Sequence, residues 1–179
     1  ERVVFPVAIG DSDAVEARQR LLLAGVPEGR PYAVLAVGAN WPNKRWSPRD
    51  YATLSDWLFE RHVIPVFVGG GLLDEQLVAD ITRLALVPPV NLVGQTTLKQ
   101  LAAVIAGACV MVGGDTGPVH LAAGLGVPTV MLMGPTDANR NGPYGQIENA
   151  IEANRPCRYC WKRACPKGLD CLAALHPPQ

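Results

Sequence analysis

The sequence has no apolar run of the eighteen or so residues that a membrane-spanning helix requires, because Gly113, Asp115 and His120 interrupt the longest candidate. It has no excess of charge of either sign. Sixteen Lys and Arg balance sixteen Asp and Glu, so nothing points to nucleic acid or an anionic membrane as a partner, and an anionic ligand must be met by local groups. The chain does not open with a basic segment followed by an apolar one. Four of its five cysteines crowd between Cys157 and Cys171 instead of spreading as in a secreted disulfide scaffold. A cytoplasmic protein is expected, cut from a longer one since the first residue is Glu1. Two nucleotide fingerprints, Gly-x4-Gly-Lys-Ser/Thr and Gly-x-Gly-x-x-Gly, are missing as well, which argues against a P-loop and an NAD-dependent dehydrogenase.

What is present is globular: 49% apolar and 18% charged residues over 179 positions suit one well-buried α/β domain and are short for two. Apolar runs at 32–37, 63–68, 90–93, 108–112 and 129–133 read as strands, while residues 1–10 read as a connector or edge strand. Between the runs lie helical patterns: one capped at Asp11-Ser12, one over 48–61 behind the Ser47-Pro48 start, one from the Asp74-Glu75 turn to about 86, one from Thr97 to Gly107, and one from Gly117 to about 125. Near-continuous Val, Ile and Leu in the strands suit a Rossmann-like parallel sheet with helices on both faces. The expected division is a linker and first helix over 1–30, a core over 31–152 and a Cys-containing tail over 153–179.

The loops at 38–46, 69–75, 94–97, 113–117 and 134–145 each follow the carboxyl end of an expected strand, and in an open parallel sheet they share the edge where ligands bind. The centre is Val112-Gly113-Gly114-Asp115-Thr116-Gly117-Pro118-Val119-His120. A strand, a tight glycine turn and a helix N-terminus there would offer free amides and a positive dipole end to a phosphate. Asp115 would repel a phosphate, so it is expected to accept from a sugar or from backbone amides; the alternative is an Asp-Thr N-cap on an ordinary crossover. Lys44 and Arg45 read as cations for nucleotide phosphates or as solvated surface charges, with Trp41 and Trp46 packing the loop. Asp74 and Glu75 read as ribose ligands or as first-turn acids, and His120 as a ligand contact or a structural histidine. Cys157, Cys160, Cys165 and Cys171, with two, four and five residues between them, admit tetrahedral zinc, reduced thiols packing a small lobe, or disulfides formed on oxidation.

Taken in order, Gly38-Ala39-Asn40-Trp41-Pro42-Asn43-Lys44-Arg45-Trp46, Val66-Phe67-Val68-Gly69-Gly70, Gly114-Asp115-Thr116-Gly117-Pro118-Val119-His120-Leu121-Ala122-Ala123 and Gly134-Pro135-Thr136-Asp137 resemble glycosyltransferase family 9, the lipopolysaccharide heptosyltransferases. The terminal Cys-x2-Cys tail is also similar to that of many members. The resemblance implies the C-terminal, donor-binding half of a GT-B enzyme that moves heptose from ADP-heptose to the lipopolysaccharide inner core with inversion, without an obligatory metal or other cofactor, and with at most peripheral contact with the inner membrane. By matching position it implies Lys44 on the diphosphate as leaving-group stabiliser, Asp74 or Glu75 on the ribose, and Thr96 and Thr97 beside the adenine. Asn40 joins the donor contacts, and Asp115, Thr116, Gly117 and His120 surround the diphosphate and sugar. The acceptor site and the general base belong to an N-terminal domain for which these residues leave no room, so the chain alone is expected not to transfer sugar. A stand-alone nucleotide or phosphosugar module, and a GT-B enzyme using a UDP-sugar, are the alternatives.

Overall fold

The apolar runs pair side by side, all in one direction. The computed structural model describes residues 5–168 and 170–178. In it β1 (Tyr32–Ala36), β2 (Ile64–Val68), β3 (Val90–Asn91), β4 (Val110–Gly114), β5 (Thr129–Met133) and β6 (Ala150–Glu152) form one sheet in the order β3-β2-β1-β4-β5-β6. Every pairing is parallel. This is the doubly wound Rossmann-like order. Winding reverses between β1 and β4, which opens a crevice beyond the carboxyl ends of those strands.

Side chains alternate across the strands, so each face carries its own core. Val34, Ala36, Val66, Val68, Met111, Met131 and Met133 lie under α1 (Asp11–Leu23), α4 (Leu98–Ala106) and α5 (Gly117–Gly124), packing on Leu21, Val104, Ile105 and Val119. Leu35, Val37, Phe67, Val112 and Leu132 meet α2 (Pro48–Glu60) and α3 (Leu72–Leu84) through Tyr51, Leu54, Leu58, Val78 and Ile81. Tyr51 ties this second core to the site edge: its ring stands edge-on to Trp46 and Phe67, and its buried hydroxyl donates to the Ala36 carbonyl at 2.7 Å. Tyr51→Phe should therefore cost about 1–2 kcal/mol, read as a lower urea midpoint with an unchanged slope.

The starts at Ser47 and Thr97 are as expected. Ser47 Oγ accepts from Asp50 N, and Thr97 forms a capping box with Gln100. Other boundaries differ for identifiable reasons. The N-cap of α1 is Gly10, which places Asp11 and Asp13 in the first turn, where they complement the dipole instead of capping. The third strand stops at Asn91 because the Asn91 side chain takes the Val93 amide at 2.9 Å. Residues 5–10 form no strand, and residues 1–4 of that expected connector or edge strand lie outside the described residues. The largest change is in β4, which runs on through Gly113 and Gly114. These two are strand residues paired with Met131 and Leu132, not a tight turn. A Cβ on Gly113 would stand 2.8 Å from Val119 Cγ2 and 3.0 Å from Ala36 Cβ, so glycine is required there by space. Among the described residues no helix is long and apolar enough to cross a membrane.

Candidate functional site

The loop after β1 turns through a 3₁₀ segment, Pro42–Lys44, and is pressed onto the sheet from above. The Lys44 carbonyl lies directly over Gly114, and the Asn43 carbonyl lies 3.0 Å from where a Cβ of Gly134 would be. Residues beyond β6 close it from outside: buried Asn43 donates Nδ2 to the Lys162 carbonyl at 2.6 Å, and Trp46 donates Nε1 to the Leu175 carbonyl at 2.9 Å. Trp161 N bonds Pro135 O at 3.1 Å, so the tail is strapped across the site loops and is not a detached lobe. Arg45 is turned back, its Nε on the Ala39 carbonyl. That leaves Lys44 as the loop cation facing the crevice, its ammonium 4.4 Å from the centroid of Trp41.

Lys44 Nζ donates to Asp115 Oδ2 at 2.6 Å. The same oxygen accepts from Thr136 Oγ1 at 2.9 Å and Asn141 Nδ2 at 3.3 Å, while Oδ1 meets His120 Nε2 at 3.0 Å. Asp115 thus gathers four side chains from two loops and two helices, where a sugar or backbone amides were expected. Burial alone would raise its carboxyl. The hydrogen bonds from His120, Lys44 and Thr136, with the Lys44 charge, overcome that and hold it well below the usual carboxylate range.

The α5 terminus is also less open than expected. Pro118 has no N–H, and the amides of Val119 and His120 turn back to the Thr116 carbonyl. Among the described residues Gly117 carries the one first-turn amide with no backbone acceptor. Thr116 occupies the N-cap position without a side-chain cap, and its Oγ1 is buried with no hydrogen-bond partner. The simple Asp-Thr cap is therefore not what this segment forms.

These groups line a cavity of about 680 Å³, within the size range of small-ligand sites. Asn40, Lys44, Asp74, Thr96, Thr97, Asp115, Thr116, Gly117 and His120 all border it. Of the acidic pair only Asp74 does; it accepts from the Gly70 amide at 2.9 Å, while Glu75 is exposed and directed toward Gly94. Thr136 and Asn141 do not border the cavity and were given no role by sequence reasoning, although Gly134-Pro135-Thr136-Asp137 was among the motifs noticed.

Cys157, Cys160, Cys165 and Cys171 lie in the tail that is strapped over the site loops, Cys171 buried and the others half-buried. Among the described residues no group of three or more His, Cys, Asp or Glu side chains is arranged to hold a metal ion. Burial, with the neighbouring Cys165, Cys160 and Cys157, pushes the Cys171 thiol up. Cys171 packs its Cβ against Gly134.

The family model for glycosyltransferase family 9 (heptosyltransferase) matches residues 8–169. Lipopolysaccharide heptosyltransferase 1 of Pseudomonas aeruginosa is 32% identical over 165 residues, 90% of this chain and 44% of that protein. Among solved structures, E. coli ADP-heptose lps heptosyltransferase II aligns with a TM-score of 0.71 at 25% identity, over 84% of this chain and 46% of that one. E. coli heptosyltransferase WaaC with ADP aligns with a TM-score of 0.63 at 28% identity, over 96% of this chain and 48% of that one. The chain spans about half the length of the proteins it matches.

Proposed function

The chain belongs to glycosyltransferase family 9, and from that premise we propose that it is the donor-binding half of a heptosyltransferase, taking ADP-heptose at the Lys44–Asp115 crevice for transfer to the lipopolysaccharide inner core at the cytoplasmic face of the inner membrane. The observation that carries the reading is one ammonium, held by Asp115 and Trp41, at the switch point of a sheet. The similarity of nearly the whole chain to part of a heptosyltransferase solved with ADP supports it.

The chemistry follows from where charge would develop. As the sugar leaves, negative charge grows on the departing ADP, and a fixed ammonium that meets that charge lowers the barrier more than it tightens the ground state. Lys44 has further N–H donors beyond the one on Asp115. Asp74, which borders the crevice, is the acid assigned to a ribose diol, and Thr96 and Thr97, which border it too, are assigned to the base. The acceptor site and the base that activates the acceptor hydroxyl belong to the other half of a GT-B enzyme, so this chain by itself binds donor and does not transfer sugar.

Titration calorimetry tests the reading. The chain should bind ADP more tightly than UDP, and Lys44→Ala should weaken ADP binding by ten- to a hundredfold, the weight of a charge-assisted contact of about 1.5–3 kcal/mol. A folded chain that takes up no ADP, or that prefers UDP, would overturn it.

A further inference from the structure

We infer that Thr136 and Asn141 are positioning residues for the Lys44–Asp115 pair, so that the loop after β5, outside the cavity wall, sets how the site presents its cation. The inference rests on the donor reading for its effect on affinity, and on geometry alone for its effect on Asp115.

Asp115 is 7% exposed, and its two carboxylate oxygens are used unequally. Oδ2 receives Lys44, Thr136 and Asn141, and Oδ1 receives His120. A carboxylate held by one lysine can turn about its Cβ–Cγ bond, since long ammonium chains follow it at little cost. Here the short Thr136 side chain, itself 1% exposed, has no such freedom. Its hydroxyl donates at 2.9 Å from a backbone fixed directly after β5. That bond fixes the plane of the carboxylate, which sends Oδ1 toward His120 and leaves Oδ2 at the right depth for Lys44.

Asn141 adds a second fixed donor from farther along the same crossover. It closes α6 (Ala138–Asn141), a single turn. Two carboxylates anchor that turn: Asp137 Oδ1 accepts from Asn139 N, and Glu152 Oε1 on β6 accepts from Ala138 N. Asn141 is thereby placed one turn beyond Asp137, within 3.3 Å of Oδ2. The titratable groups facing Asp115 are Lys44 from the loop after β1 and His120 from α5. Both need the carboxylate in one orientation, and the crossover after β5 supplies it.

Thr136→Val keeps volume and removes the donor, while Thr136→Ser restores it. The first readout uses the ligand-free chain: carbon NMR of the Asp115 carboxyl through an acid titration. Thr136→Val should shift that titration up toward the usual carboxylate range and Thr136→Ser should return it, with the amide spectrum of the sheet unchanged in both. The second readout is ADP calorimetry, in which Thr136→Val should lose about tenfold in affinity, the weight of a hydrogen bond to a charged group, and Thr136→Ser should recover it. An unmoved Asp115 titration in Thr136→Val, or equal losses in the Val and Ser variants, would overturn the inference. If the parent chain binds no ADP, the donor reading fails, and the carboxyl titration alone decides the positioning role.

Discussion

Asp115→Asn should melt about 10 °C below the parent chain at neutral pH and bind ADP on the order of tenfold more weakly. The substitution keeps the shape of the side chain and removes its charge. The Lys44 side chain, 12% exposed, then faces an amide, and at one position it meets an N–H donor where it had a carboxylate oxygen. Removing one partner of a buried pair costs about 3–5 kcal/mol because the other charge is left uncompensated. The residual exposure of Lys44 argues for the low end. For a chain of this size about 3 kcal/mol corresponds to roughly 10 °C. Loss of affinity follows because Lys44 and His120 share this anchor. Relief of repulsion between Asp115 and a diphosphate works the other way, but it is the smaller effect, since four donors already screen the carboxylate.

The same variant has a signature in pH. The folded chain holds the Asp115 carboxyl below its unfolded value of about 3.9, so between those two values the unfolded chain binds the extra proton. The contribution to stability is complete above the unfolded value and is lost as pH falls through the folded one. Thermal melts taken stepwise from pH 7 downward should therefore show a constant gap between parent and Asp115→Asn until about pH 4, and a narrowing gap below it. A gap that is already closed at pH 7 would mean that the ion pair contributes nothing to the fold.

The parallel sheet was legible because buried strands, Pro and Gly stops, and the Ser47 and Thr97 caps are local signals. The shared edge was legible as well, since every second connection of a parallel sheet must return there. Long-range geometry was not. Gly113 and Gly114 carry the same letters whether a turn or a close approach demands them, and only the packing of Val119, Ala36 and Lys44 shows that it is the latter. The choice between Asp74 and Glu75 depends on which way a helix start is rolled over Gly38 and Gly69, and sequence spacing does not encode it. Thr136 and Asn141 stand 21 and 26 residues from Asp115, so no spacing rule links them. The cysteine spacing admitted a metal, reduced thiols or disulfides alike, and it gave no sign that Cys171 packs against Gly134 beside the Asn43 carbonyl.

Gly114→Ala should remove ADP binding more thoroughly than any change to a polar group except Lys44 itself, while costing about 1–3 kcal/mol of stability. Alanine in place of a strand glycine is ordinarily favourable by about 0.5–1 kcal/mol through chain entropy, so the sign of the outcome depends on space. A Cβ at Gly114 would collide with the backbone carbonyl of Lys44 and come within 3.9 Å of its Cβ. A backbone carbonyl cannot swing aside as the tip of a side chain can. The loop would have to lift by about 1 Å to reach a normal carbon-to-oxygen approach of roughly 3.3 Å. Its other attachments oppose that lift: Asn43 to Lys162, Trp46 to Leu175, and the Lys44 ammonium to Asp115. Either these bonds break or the ammonium leaves its place, and in both cases the cation no longer meets the ligand as built. Gly117→Ala is the matched control, because a Cβ there meets nothing within 4 Å, and its melting temperature should stay within a degree or two of the parent, the roughly ±0.5 kcal/mol of an uncrowded position. If Gly114→Ala binds ADP as the parent does, the Lys44 loop does not depend on its seat on β4, and the close approach at Gly114 has no role in holding the cation.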